Sequence, residues 1–150
     1  MKKSLHVFII VSTIIVLDQI TKYLVSTSIG PFDTFEIFPF LHITHVWNTG
    51  SAFGMFKNLG GNFFILLSIV AIVIILYFLK KSTYSRFGLS LVLGGAIGNL
   101  IDRIRFGKVF DFIFINVEVG GHYWPVFNVA DSSLTIGVSV IFLLAFIKKE

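Results

Sequence analysis

The chain has 150 residues, about one domain's worth, with 13% charged residues, 55% hydrophobic residues, 18 phenylalanines and a net charge of +4. With a mean hydropathy of +0.90, this excludes a disordered chain, a nucleic-acid-binding domain and most soluble enzymes, because so short a soluble fold hides only about two-thirds of its surface. An integral membrane protein remains, and the absence of cysteine excludes disulfides, thiol nucleophiles and thiolate metal sites.

The first apolar run is Leu5 to Leu17, and its helical pattern continues to about Val25 through Asp18 and Lys22. Lys2 and Lys3 precede it as in a signal peptide, but no small-residue cleavage site follows, so a retained first helix is expected over 5–25. Asp18 and Lys22 stand i, i+4 and share one helix face. Their expected role is a structural ion pair near the interface, with Lys22 snorkelling outward. Support of an active site is the other reading.

Residues 26–61 form the longer connection. Phe40 to Asn48 reads as a strand and Asn48-Thr49-Gly50 as a turn. His42 and His45 stand three apart on that strand, where alternation turns them to opposite faces, and no third ligand lies nearby; no metal is expected there. The second and third spans are expected at 62–80 and 86–105. The third carries Ser90, Gly94, Gly98 and Asp102 on one stripe and Gly95, Asn99 and Arg103 on another. Glycines four apart let another helix approach, within one chain or across a dimer. Each stripe turns polar toward one end, which brings Asn99, Asp102 and Arg103 to the membrane boundary.

In the connection 106–130, Val109 to Val117 is strand-like, Gly120-Gly121 is a turn signal, and Tyr123 to Phe127 is expected to pair back. The two connections predict a small sheet on the membrane surface. Asp111 is a lone carboxylate in an apolar strand pattern; its plainest reading is an outward-pointing side chain. Asp131 opens the fourth span, 131–147, where its plainest reading is a helix N-cap.

Lys2, Lys3, Lys80, Lys81, Arg86, Lys148 and Lys149 lie on one side of these spans, against Lys22, Lys57, Arg103, Arg105 and Lys108 on or toward the other. The bias puts both termini in the cytoplasm. The basic residues then act as topology anchors, and no nucleic-acid partner is expected. All acidic residues but Glu150 fall toward the outer side. Ionisable groups in membrane helices are costly and point to function. Asp111 and Asp131, with Asn99, Arg103 and Asn128 available nearby, suffice for peptide hydrolysis without metal. One ionised carboxylate takes a proton from water, while its protonated neighbour polarises the scissile carbonyl. A small proton- or ion-coupled transporter using Asp18, Asp102 and Asp131 is the alternative. It fits less well, because transport sites lie near the bilayer midplane.

Four blocks, in order over nearly the whole chain, resemble bacterial lipoprotein signal peptidase (signal peptidase II), a family of aspartic peptidases of the cytoplasmic membrane. They are Asp18-Gln19-Ile20-Thr21-Lys22; Asn48-Thr49-Gly50-Ser51-Ala52-Phe53-Gly54; Gly94 to Arg103 continuing through Gly107, Val109, Asp111 and Phe112; and Trp124 to Asp131 with Gly137 beyond. Ser51 stands where alanine is common and Phe114 where a further aspartate is often seen. The resemblance implies one peptidase domain over 1–150, mostly helical and integral to the membrane. It implies four transmembrane helices, a small extracytoplasmic β cradle from parts of 35–48 and 109–124, and a mobile outer loop around 50–61. It implies Asp111 and Asp131 as the catalytic pair, with Asp18, Lys22, Asn48, Gly50, Asn99, Asp102, Arg103, Asn128 and Ala130 shaping or supporting the site. It implies cleavage of a prolipoprotein just before a cysteine that already carries diacylglycerol, at the outer membrane face. Membrane lipid is the further partner; no cofactor is expected, and a monomer is.

Overall fold

The computed structural model describes residues 2–50, 60–81 and 85–147. The loop expected at 50–61 therefore lies, for residues 51–59, outside the described residues. Four long helices carry the fold: α1 (Lys2–Ser28), α2 (Gly60–Lys81), α3 (Arg86–Phe106) and α4 (Val129–Ile147). All four are long and apolar enough to cross a membrane. Leu17, Ile20, Leu66, Val73, Phe142 and Phe146 stand exposed on their outer surfaces, as lipid-facing side chains do. The spans run longer than the sequence runs suggested, because polar ends such as Lys2–Ser4 and Ser26–Ser28 continue the same helices.

α3 is the central helix. It packs against α1, α2 and α4, and 56% of its span is buried against 6% for α1. Its small residues make this possible. A methyl group on Gly94 would lie 2.8 Å from the Ile14 side chain of α1, and one on Gly95 would strike the Ala130 carbonyl of α4. Gly88 and Gly137 approach each other's backbone, with hypothetical methyls 2.8 and 2.7 Å from the opposing carbonyl oxygens. The glycine stripes, open in sequence to either use, serve packing within the chain.

The connections build two small sheets. β1 (Thr34–Phe38), β2 (Leu41–Asn48) and β3 (Val109–Ile115) form an antiparallel sheet with β2 in the middle. β4 (Glu118–Val119) and β5 (His122–Tyr123) form a separate hairpin turned by Gly120 and Gly121, both at positive φ. Phe127 pairs back onto β3: its N–H donates to the Ile113 carbonyl (3.0 Å), and its carbonyl accepts from Ile113 N–H (2.8 Å). This bridge ties β3 to the start of α4.

A bulge in β2 between Ile43 and Val46 changes one expectation. Strict alternation sets His42 and His45 on opposite faces, but the extra residue turns them to the same one. The His42 ring meets Phe114 edge-on and the His45 ring meets Phe110, four residues earlier on β3. They have separate partners: His45 Nδ1 lies 2.7 Å from the Ile29 carbonyl, and His42 faces Glu36 at 3.9 Å.

Candidate active site

The chemistry gathers where α1, α3, β3 and α4 meet. α3 ends at Gly107, whose left-handed backbone (φ 70°) closes the last turn with its N–H on the Arg103 carbonyl (2.9 Å). The chain then enters β3. Across this turn the Asp102 carboxylate accepts from Phe110 N–H at 3.1 Å. That contact fixes the backbone one residue before Asp111.

Asp111 points inward rather than to solvent and is only 2% exposed. β3 is covered on both faces at this point, so strand alternation carried no information about exposure. Its Oδ1 accepts from Asn128 Nδ2 at 2.7 Å and its Oδ2 from Asn48 Nδ2 at 3.0 Å. Asn48 Oδ1 in turn accepts from Gly50 N–H (3.0 Å), bending the chain as it leaves β2. Burial pushes the Asp111 carboxyl up to about 7, and the charge of Asp131 adds to the rise. The two amides and the Lys22 ammonium pull the other way.

The N-cap of α4 is Asn128, not Asp131. Asn128 Oδ1 accepts from Asp131 N–H (2.8 Å), and Asp131 Oδ2 accepts from Asn128 N–H (3.3 Å). This is a reciprocal capping box with aspartate in the third helical position. The cap amide has further uses: Asn128 Nδ2 reaches Asp111, the Phe110 carbonyl (3.3 Å) and Asn99 Oδ1 (3.1 Å). Asn99 Nδ2 donates to Asp131 Oδ1 at 2.7 Å. One buried asparagine thus stands between the two aspartates, and a second anchors Asp131 to α3.

Behind this pair lies an ionic cluster. Lys22 does not snorkel outward. Its Nζ is buried at 2.8 Å from Asp18 Oδ2, 2.9 Å from Asp102 Oδ2 and 3.1 Å from Asn99 Oδ1. Two carboxylates and an amide oxygen inside offer the ammonium more than the interface does. Asp18 Oδ1 accepts from Ala130 N–H at 2.9 Å, a free donor of the first turn of α4. Gly98 gives Asp18 room, since a methyl there would sit 2.8 Å from Oδ2. Gln19, which sequence reasoning left without a role, spans the cluster: its Nε2 reaches Asp18 (3.1 Å), Asp102 (3.0 Å) and the Gly98 carbonyl (3.3 Å). Its place between Asp18 and Lys22 in the first motif block was the available signal.

Asp111 and Asp131 open together onto a cavity of about 540 Å³. Asn48, Gly50 and Arg103 line its polar side; Trp124, Pro125, Val126 and Phe127 line an apolar side continued by Leu134 and Ile136 of α4. Every sequence-predicted site residue falls in this cavity wall or in the network behind it. Two further residues were missed. Ser68 and Phe64 of α2 touch Arg103, whose Nη1 donates to Ser68 Oγ at 3.2 Å. Ser68 shares only with Tyr77 the distinction of carrying a hydroxyl in the run Phe63–Leu79; that was the sole hint. No cluster of three or more metal-ligating side chains occurs among the described residues.

Paired carboxylates in an apolar setting favour sharing one proton, because both cannot ionise cheaply at close range. Such a pair has an acid and a base at one pH, which is what water attack on an amide needs. Fold and site together define a four-helix membrane protein with a two-carboxylate centre at one end of its bundle.

Comparison with known proteins agrees. The family model described as signal peptidase (SPase) II matches residues 10–147. A lipoprotein signal peptidase of Thermodesulfovibrio yellowstonii is 43% identical, covering 99% of this chain and 96% of that one. One from Staphylococcus haemolyticus is 39% identical with the same coverage. A solved structure titled as a bacterial membrane enzyme superposes with a TM-score of 0.87 at 36% identity, covering 97% of this chain and 90% of the other. The chain belongs to the signal peptidase II family of bacterial membrane proteases. Nothing in these relatives supports the transporter reading.

Proposed function

We propose that Asp111 and Asp131 are the catalytic pair. They cleave a diacylglyceryl-modified prolipoprotein immediately before its lipidated cysteine. The observation that carries this reading is the pairing of a buried carboxylate, Asp111, with a partly buried one, Asp131, bridged by Asn128, on one cavity with an apolar wall. The ionised member takes a proton from water, and the water oxygen attacks the scissile carbonyl. The protonated member polarises that carbonyl and then protonates the leaving nitrogen. Arg103 and Asn48 line the cavity beside the reacting atoms; Asn99, Asn128 and Gly50 shape it. Asp18, Lys22, Asp102 and the Ala130 N–H hold the helices that carry it. Trp124, Val126, Leu134 and Ile136 offer apolar surface suited to acyl chains or a signal helix.

The same reading puts the site at the outer face of the bacterial cytoplasmic membrane, with both termini cytoplasmic and the chain working as a monomer in contact with lipid. The even number of spans and the basic residues at the opposite end of the bundle, Lys80, Lys81 and Arg86, support it.

The pH dependence of cleavage tests the pair. Asp111 is raised to about 7, so it keeps its proton below that value and releases it above. The shared proton is then lost as pH rises. With a lipidated precursor, kcat/KM is expected to hold below about 7 and fall above it, the midpoint belonging to the pair. A profile flat from about pH 6 to about pH 9 would contradict a shared proton.

A further inference from the structure

Arg103 shares the cavity with Asp111 and Asp131, yet it forms no ion pair with any carboxylate among the described residues. This is unusual for a guanidinium, whose preferred partner is a carboxylate. The reason lies on α2. Ser68 Oγ donates its only proton to the Phe64 carbonyl (2.8 Å), which leaves a lone pair facing outward. That lone pair accepts from Arg103 Nη1 at 3.2 Å. The Phe64 ring lies 5.9 Å from the Arg103 guanidinium carbon, within cation–π reach. The same buried ring abuts Gly50, where a methyl group would strike its edge.

We propose that Phe64 and Ser68 form a seat on α2 that holds Arg103 in the cavity wall, clear of the two aspartates, so that its remaining N–H groups meet carbonyl oxygens of the bound peptide. This rests on the reading of Asp111 and Asp131 as the reacting pair. Without the seat, the guanidinium is free to swing onto a carboxylate. A cation that close favours the ionised form and removes the shared proton. Ser68 is then a positioning residue acting through Arg103. The charged groups around Asp111 are Asp131 from α4, Asp18 and Lys22 from α1, and Asp102 and Arg103 from α3. β2 contributes the neutral Asn48, with its histidines on the opposite face. The charged residues of α2, Lys80 and Lys81, stand at its far end.

Ser68→Ala tests the seat, with two readouts on the full-length protein in detergent: the ¹³C carboxyl titration of Asp111, which needs no turnover, and kcat and KM on lipidated precursor across pH. The titration midpoint and the alkaline limb of kcat/KM are both expected to move down by about one unit. KM is expected to rise several-fold, and the unfolding temperature to stay within a few degrees of the parent. Ser68→Thr, which keeps the hydroxyl, is expected to restore the parent values. An unmoved midpoint in Ser68→Ala, or the same shift in Ser68→Thr, overturns the seat. A moved midpoint without any change in the pH profile upholds the seat and instead removes Asp111 from the reaction.

Discussion

Asp111→Asn and Asp131→Asn are each expected to reduce cleavage of a lipidated precursor to background while leaving a folded, membrane-inserted protein. An amide matches a carboxylate in shape but neither takes a proton from water nor gives one to a leaving nitrogen. Loss of one acid–base partner typically costs about 10²–10⁴-fold, and the two aspartates are proposed to serve opposite directions of proton transfer, so neither covers for the other. The fold has reason to survive. At position 131 an asparagine oxygen can still accept from Asn128 N–H, so the capping box closes. At position 111 a side-chain amide presents one oxygen where the carboxylate presented two, so one of the bonds from Asn48 and Asn128 is lost. A modest fall in stability with a complete loss of turnover is therefore expected. The measurement is kcat on purified, detergent-solubilised variants, with circular dichroism to confirm the helices. Parent turnover by either folded variant would remove that residue from the chemistry.

The second large effect is on stability. Lys22 is the common partner of Asp18 and Asp102, at 2.8 and 2.9 Å, and all three are buried. Lys22→Ala leaves two buried carboxylates facing each other without a cation. Breaking a buried ion pair from one side costs about 3–5 kcal/mol, more than the exposed equivalent, because the remaining charge has lost both water and partner. The damage spreads, since Asp18 also holds Ala130 N–H and Asp102 holds Phe110 N–H. Those contacts position the two backbones that carry Asp131 and Asp111. Lys22→Ala is expected to lower both the unfolding midpoint and the yield of active protein. Asp18→Ala acts in the same direction. A Lys22→Ala protein as stable as the parent would contradict a structural role for the cluster.

Much of this was legible in the sequence, for identifiable reasons. Long apolar runs give membrane helices because lipid leaves backbone groups no other partner. The glycines of α3 announced close packing, although not with which helix: Gly94 meets Ile14 of α1 whereas its neighbour Gly95 meets Ala130 of α4. The polar residues stood out against so apolar a background that nearly all of the site could be enumerated.

What the sequence did not yield were directions. A period-two pattern assumes one wet face and one dry face; β3 has neither, so Asp111 read as outward when it is buried. The β2 bulge is a backbone event without a residue signature, and it reversed the relation of His42 to His45. Lys22 read as snorkelling because helix geometry names its neighbour Asp18 but not Asp102 or Asn99, which come from another helix. Asn128-x-x-Asp131 did spell a capping box, yet an aspartate at the head of an apolar run resembles a cap by itself. Ser68 gave least of all. Its significance depends on Arg103, 35 residues away in sequence.

The most direct test of the central claim is the mass of the products. Detergent-purified protein is mixed with a diacylglyceryl-modified prolipoprotein, with and without EDTA, and both fragments are weighed by intact-mass spectrometry. Hydrolysis by two aspartates predicts one cut, immediately before the lipidated cysteine, with the two fragment masses summing to that of the precursor plus one water and a rate indifferent to EDTA. A cut elsewhere, or activity that vanishes with EDTA and returns with added metal, would contradict it.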